Sequence, residues 1–182
     1  AGFLPVLAPC GLALGQAVAT PFFEGRPNAA RFVSSYSLEA AARGGPRIVE
    51  WFFAPAGDGP GIRLLLNEQP YTGAASAGVL CLPPARDAIS GLTMPILEPP
   101  RAREGTFVLA DRLRGGSLSY LEPAREDRPA RWVSYWAVSG VWPAAIRVEF
   151  DPLPGRPASF SPIAFIGRIR VDLPPGESFV PR

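Results

Sequence analysis

Apolar and polar side chains alternate along several stretches of the chain. Ile146, Val148 and Phe150 are interleaved with Arg147 and Glu149, and Leu118 and Tyr120 with Ser117 and Ser119. Ile169, Val171 and Leu173 are interleaved with Arg168, Arg170 and Asp172. A period of two sends successive side chains to opposite faces, so each stretch predicts a strand with one buried face. Residues 47–54, 62–66 and 78–82 are more continuously apolar, which predicts central strands covered on both sides. Residues 31–38 and 131–138 are rich in aromatic and β-branched side chains and predict further strands.

Turn residues separate these runs. Gly44-Gly45-Pro46 precedes one, and Gly57-Asp58-Gly59-Pro60-Gly61 lies between two, so residues 47–66 read as a β-hairpin. Gly115-Gly116 and Pro154-Gly155 mark other reversals. The Pro-rich stretch 83–100 shows no period and reads as a long crossing loop. Helix signal is thin: one or two turns at 37–43, and a short helix within 6–19 after Pro9. Nothing repeats at a fixed interval, which excludes solenoids and propellers. The pattern predicts an antiparallel, mostly β domain with one helix at the start.

Composition sharpens this in three places. The 23 Pro and 19 Gly have no period, so they indicate a loop-rich fold of short strands. All 18 basic residues are Arg, interspersed with 16 acids for a net charge of +2. A nucleic-acid binder concentrates positive charge on one face to neutralise phosphates, and no such run exists here. Cys10 and Cys81 suit either one disulfide or two buried thiols, and spacing does not choose between them. Residues 1–23 are the most apolar stretch, but Pro5 and Pro9 argue against a spanning helix. Ala17-Val18-Ala19 has the look of a signal cleavage site without the basic segment that precedes one. Leu7-Ala8-Pro9-Cys10 departs from a lipoprotein box at Pro9.

The chain has no His and no Lys. Serine and cysteine triads built on His, His-ligated zinc, Schiff-base lysines and phosphate-loop lysines are therefore excluded within this chain. Glycoside hydrolysis needs only two acids at a fixed separation. Glu50, Glu68, Glu122 and Asp151 are the candidates. Each has a plainer reading: Glu50 sits among apolar residues and can pair with an Arg on a neighbouring strand, and the others follow strand ends. No catalytic, cofactor or metal residue is assigned. The Gly57–Gly59–Gly61 spacing lacks a following helix and reads as a hairpin tip, not a phosphate cradle. Asp58 has no second acid nearby for calcium. Trp132 and Trp142 read as core anchors, while Trp136 and the 83–100 loop are candidates for a docking surface.

The order of several segments resembles the soluble domain of type II secretion minor pseudopilins, the general secretion pathway protein J family. Phe23-Glu24-Gly25 followed by Ala30-Arg31-Phe32-Val33-Ser34-Ser35 is similar to its opening strand. Arg47-Ile48-Val49-Glu50-Trp51-Phe52-Phe53 with Gly61-Ile62-Arg63-Leu64-Leu65-Leu66 is similar to its hairpin. Residues 106–121 match a further strand segment through Leu109, Leu113, Leu118, Tyr120 and Leu121. Trp132, Trp136 and then Trp142-Pro143-Ala144-Ala145-Ile146-Arg147-Val148-Glu149-Phe150 is similar to the closing part. The resemblance covers about residues 22–173. The family's stem helix, with its methylated start, is missing from this sequence, and the reading is that Ala1 followed a removed segment. The resemblance implies an α+β, mostly antiparallel β pseudopilin fold with a short N-terminal helix packed on a β-sheet, residues 1–22 being the helix remnant and connector and 23–182 one globular unit. It implies a non-catalytic subunit without cofactors. It implies assembly with other minor pseudopilins, and contact with the secreted substrate, at the periplasmic face of the bacterial inner membrane. The membrane is reached only through the missing helix. The other reading is a secreted or lipid-anchored β-sandwich that binds carbohydrate or an exported protein.

Overall fold

The computed structural model describes residues 2–13, 16–40, 44–86, 93–136, 142–152 and 163–169. Strand accounts for 60% of these residues and helix for 4%. In chain order the strands are β1 (Phe3–Leu4), β2 (Leu7–Ala13), β3 (Gln16–Pro21), β4 (Glu24–Arg26), β5 (Ala29–Ser34), β6 (Arg47–Pro55) and β7 (Ile62–Pro70). After the short helix α1 (Ala74–Gly78) come β8 (Cys81–Arg86), β9 (Thr93–Leu97), β10 (Phe107–Glu122), β11 (Arg131–Val133), β12 (Ala145–Pro152) and β13 (Ile163–Arg168).

Nine strands form one antiparallel sheet in the order β1-β5-β6-β7-β10-β12-β13, with β4 added to β5 and β11 to β10. The 16-residue β10 organises it. Leu113 pairs with Ile62 of β7 and Pro152 of β12, and Tyr120 with Val133 of β11 and Ile146 of β12. Each strand residue has one neighbour per edge, so β12 lines one edge of β10 while β7 and β11 share the other. The first half of β10 completes the β5–β6–β7 layer, and its second half leads the β11–β12–β13 layer. Register shifts between Val108 and Gly115, with Arg112 at φ 55°, mark the corner where the strand changes layers. The bridge from Gly25 to Trp136 ties β4 back to the segment after β11.

The main core lies between the layers and includes Phe32, Val49, Leu66, Leu118, Tyr120 and Ile146. Two glycines make the close approach feasible. A Cβ on Gly116 would meet the Phe53 ring, and one on Gly25 would lie 2.7 Å from the Trp136 Cβ and 2.9 Å from the Tyr120 ring. The Tyr120 hydroxyl donates between the carbonyl oxygens of Arg26 and Ala29, at 2.8 and 2.9 Å, and so pins the β4–β5 turn. Burial pushes this phenol well above its usual range.

A second cluster, with Val6, Phe22, Val33, Ile48, Ala77 and Leu97, lies on the opposite face of β5 and β6. It is built by the β2–β3 hairpin, α1 and the β8–β9 hairpin. A Cys10–Cys81 disulfide, with Cα atoms 5.4 Å apart, joins β2 to β8 and settles the pairing that spacing left open.

The expected N-terminal helix is a correction. Leu7–Ala13 and Gln16–Pro21 pair as the β2–β3 hairpin, and no helix of seven or more residues occurs among the described residues. Pro9 cannot occupy a helix interior, and Gly11 and Gly15 weaken one further. Pro9 instead sits where the β2–β3 register shifts between Ala8 and Gly11. An α+β pilin-like fold is therefore replaced by a mostly antiparallel β fold.

The 83–100 stretch is likewise no plain loop. β8 and β9 pair across it, with the register shift between Leu82 and Ala85 falling at the two prolines, and residues 87–92 lie outside the described set. The strand expected at 78–82 begins only at Cys81, because Ala74–Gly78 forms α1. Periodicity alone does not separate a short apolar strand from a helical turn. Residues 38–40 make turns, not a helix, and 41–43 lie outside the described residues. The strand expected at 168–173 is placed at Ile163–Arg168, with 170–173 outside the described residues.

Candidate functional site

Two features stand apart from ordinary β packing. The first is a polar row inside the sheet. Glu24 on β4 lies opposite Arg31 on β5, Arg31 opposite Glu50 on β6, and Glu50 opposite Asn67 on β7. Strand alternation therefore places all four side chains on one face, beside the second apolar cluster. Arg31 is only 2% exposed, so its charge must be matched in place.

Its guanidinium is fully engaged. Nε donates to Glu50 Oε1 at 2.8 Å, Nη1 to Glu24 Oε2 at 3.0 Å, and Nη2 to the Glu98 carbonyl at 2.6 Å. Glu24 also meets Arg26 at 2.7 Å. Asn67 Nδ2 donates to Glu50 Oε2 at 2.8 Å and to the Arg101 carbonyl at 2.9 Å, while its Oδ1 accepts from Thr106 at 2.6 Å. Burial raises the Glu24 carboxyl above its usual range despite the opposing pull of Arg31 and Arg26. Glu24 thus takes up a proton more readily in the folded chain than in the unfolded one, and the stability linked to that uptake is present below the unfolded value and lost as pH rises through the raised one.

The second feature is β13. It pairs with β12 on one side, and no strand among the described residues pairs with its other side. Phe165 and Ile166 point to opposite faces and are each 60% exposed. Phe165 touches Phe150 at a ring separation of 6.1 Å, extending the core face beyond the sheet's last paired strand. Edge strands in stable monomers usually carry a central charge or a proline, and Ile163–Ile166 has neither.

The four acids considered for catalysis do not converge as a site. Glu50 pairs with Arg31, as its apolar surroundings suggested. Glu68 accepts from the Ser37 hydroxyl and the Leu38 amide, both at 2.6 Å, and so caps a turn. Glu122 accepts from Arg131 at 2.7 Å, and Asp151 meets Arg114 at 3.3 Å. Asp58 at the Gly57–Gly61 hairpin tip meets Arg63. Among the described residues no group of three acids or cysteines is arranged to hold a metal.

Trp136 is 5% exposed and packed in the main core, which removes it from the docking surface. Its amide donates to the Gly25 carbonyl at 2.8 Å. Trp142 packs against the same core with a buried indole N–H that has no partner among the described residues, and Trp132 lies under Arg147 at 4.6 Å. Sequence reading missed the rest of the row because Glu24, Arg31 and Asn67 look like ordinary strand polar positions until register places them together. No helix among the described residues is long and apolar enough to cross a membrane.

Arg31→Met is expected to destabilise the fold by about 3–5 kcal/mol, because it strands two buried carboxylates. Arg31→Met/Glu24→Gln/Glu50→Gln is expected to recover part of that loss; urea unfolding of both variants measures it. Glu122 behaves oppositely to Glu24: the Arg131 hydrogen bond holds its carboxyl below the usual 4.5. Its contribution is present above that value and lost as pH falls through the depressed one. Glu122→Gln is expected to cost up to about 1 kcal/mol at neutral pH and progressively less in acid, read from thermal midpoints across the pH range. No protein-family model, curated protein or solved structure matches the chain.

Proposed function

We propose that the chain is a non-catalytic docking subunit that assembles with sister pilin-like subunits on the periplasmic side of the bacterial inner membrane. The observation that carries this reading is the β13 edge. Its outer backbone groups have no strand partner among the described residues, and it exposes apolar side chains on both faces. Such an edge is suited to strand addition, in which main-chain hydrogen bonds supply affinity and alternate side chains supply selectivity.

Three further points support it. The segments on which the resemblance rests include strands β5, β6, β7, β10 and β12, which all belong to one sheet. The acids considered for hydrolysis are committed to arginines or to a turn cap. The stem-helix packing expected from the resemblance forms no part of this proposal, since the N-terminal segment is a β-hairpin. The disulfide suits an oxidising compartment such as the periplasm.

The alternative, a secreted module for carbohydrate or an exported protein, shares the same edge. Reading the gene upstream of Ala1 separates the two: a Gly-Phe-x-x-x-Glu start with about 20 apolar residues favours the pilin-like subunit, and an ordinary signal peptide favours the module. Charging the edge tests docking directly. Phe165→Arg/Ile166→Glu is expected to reduce co-purification with sister subunits at least about tenfold, because it buries unpaired charge at the contact. Its thermal midpoint should stay close to that of the parent, since both positions are exposed. Undiminished co-purification would reject the edge as the docking site.

A further inference from the structure

Residues 98–106 run across the polar row as an exposed segment between two apolar anchors. Leu97 at its start is buried in the second cluster, and Phe107 at its end packs against the main core. Between them Glu98, Pro99 and residues 101–105 are exposed and Pro100 half-buried, so the segment contributes almost nothing to either core. Its fasteners are polar. Arg31 and Asn67 donate to the carbonyls of Glu98 and Arg101, Thr106 donates to Asn67, and Arg103 reaches Gln69 at 3.2 Å and Glu50 at 3.8 Å. The Glu98 amide also bonds to the Leu80 carbonyl at 2.9 Å. Gly105, at φ 80°, supplies a turn beside the second anchor that a side chain would strain.

We infer that residues 98–106 form a strap that detaches locally while the sheet beneath stays folded. The reason lies in what opening exposes. Lifting the β2–β3 or β8–β9 hairpin would wet apolar surface and is opposed by the Cys10–Cys81 link. Lifting the strap breaks its polar ties to Arg31, Glu50 and Asn67, groups that water solvates well. Local openings draw on such weakly packed, polar-fastened segments. In the closed form the Arg31 guanidinium and the Asn67 amide each read a main-chain carbonyl. In the open form the same two donors face solvent, so the row becomes a patch able to take carbonyls from another extended chain. The strap inference is independent of the β13 edge, and the test uses the intact chain alone.

Site-resolved limited trypsin digestion provides it, because cleavage of a fast-opening segment tracks its open population. Cleavage after Arg101 and Arg103 is expected to be nearly flat in low urea, whereas cleavage after Arg63 in β7 should rise steeply with it. Thr106→Val removes the hydroxyl that donates to Asn67 and that accepts from the Arg103 amide. It is expected to speed cleavage after Arg101 and Arg103 roughly 2- to 12-fold, one hydrogen bond's worth, and to leave Arg63 unchanged. Equal urea dependence at all three sites would overturn the inference. So would a Thr106→Val effect shared equally by Arg63.

Discussion

A guanidinium placed almost out of reach of water dictates much of this structure. Arg31 sits in the third position of β5 with a carboxylate on each neighbouring strand and a carbonyl above it. Removing Arg31 would leave two carboxylates without their shared cation in a low-dielectric setting, which is far more costly than the pairing is favourable. The arrangement is satisfied only when β4, β5, β6 and β7 are in the observed register. A slip of one residue would turn Arg31, Glu50 and Asn67 into the apolar core between the layers. The row thus acts as a register pin across four strands. It also fixes where residues 98–106 lie, since two of its members hold that segment's carbonyls.

With register fixed, the rest of the architecture follows from β10. Its bent path lets one strand serve two layers and encloses the aromatic core between them. Gly25 and Gly116 are small because Trp136, Tyr120 and Phe53 need their space. The second layer then runs outward through β12 to β13, where pairing ends among the described residues. The edge is therefore a consequence of the same topology that buries the core. Its apolar, uncharged middle is unusual for the edge of an isolated chain, and the proposed docking role rests on it.

Much of the layout was legible in the sequence. The hairpin around Gly57–Gly61 was marked by its turn residues, and the alternation at Ile146–Phe150 and Leu118–Tyr120 named the correct buried faces. Glu50 was readable as an Arg partner because a carboxylate amid apolar neighbours needs one. Three things were not legible. Residues 6–19 are apolar without a decisive period, and their strand pairing is secured by contacts with α1, β8 and Cys81 that lie far along the chain. Trp136 looked available because its neighbour in space, Gly25, is remote in sequence. The β8–β9 hairpin was hidden by its prolines, which signal a break yet are tolerated where register shifts.

The central claim is that this chain acts by presenting a strand edge. Hydrogen–deuterium exchange with and without the proposed sister subunits tests it most directly. New protection should appear in the amides of β13 and fade toward β12, with the Arg31 row unchanged. Protection concentrated on another surface, with β13 exchanging as freely as in the isolated chain, would contradict the account.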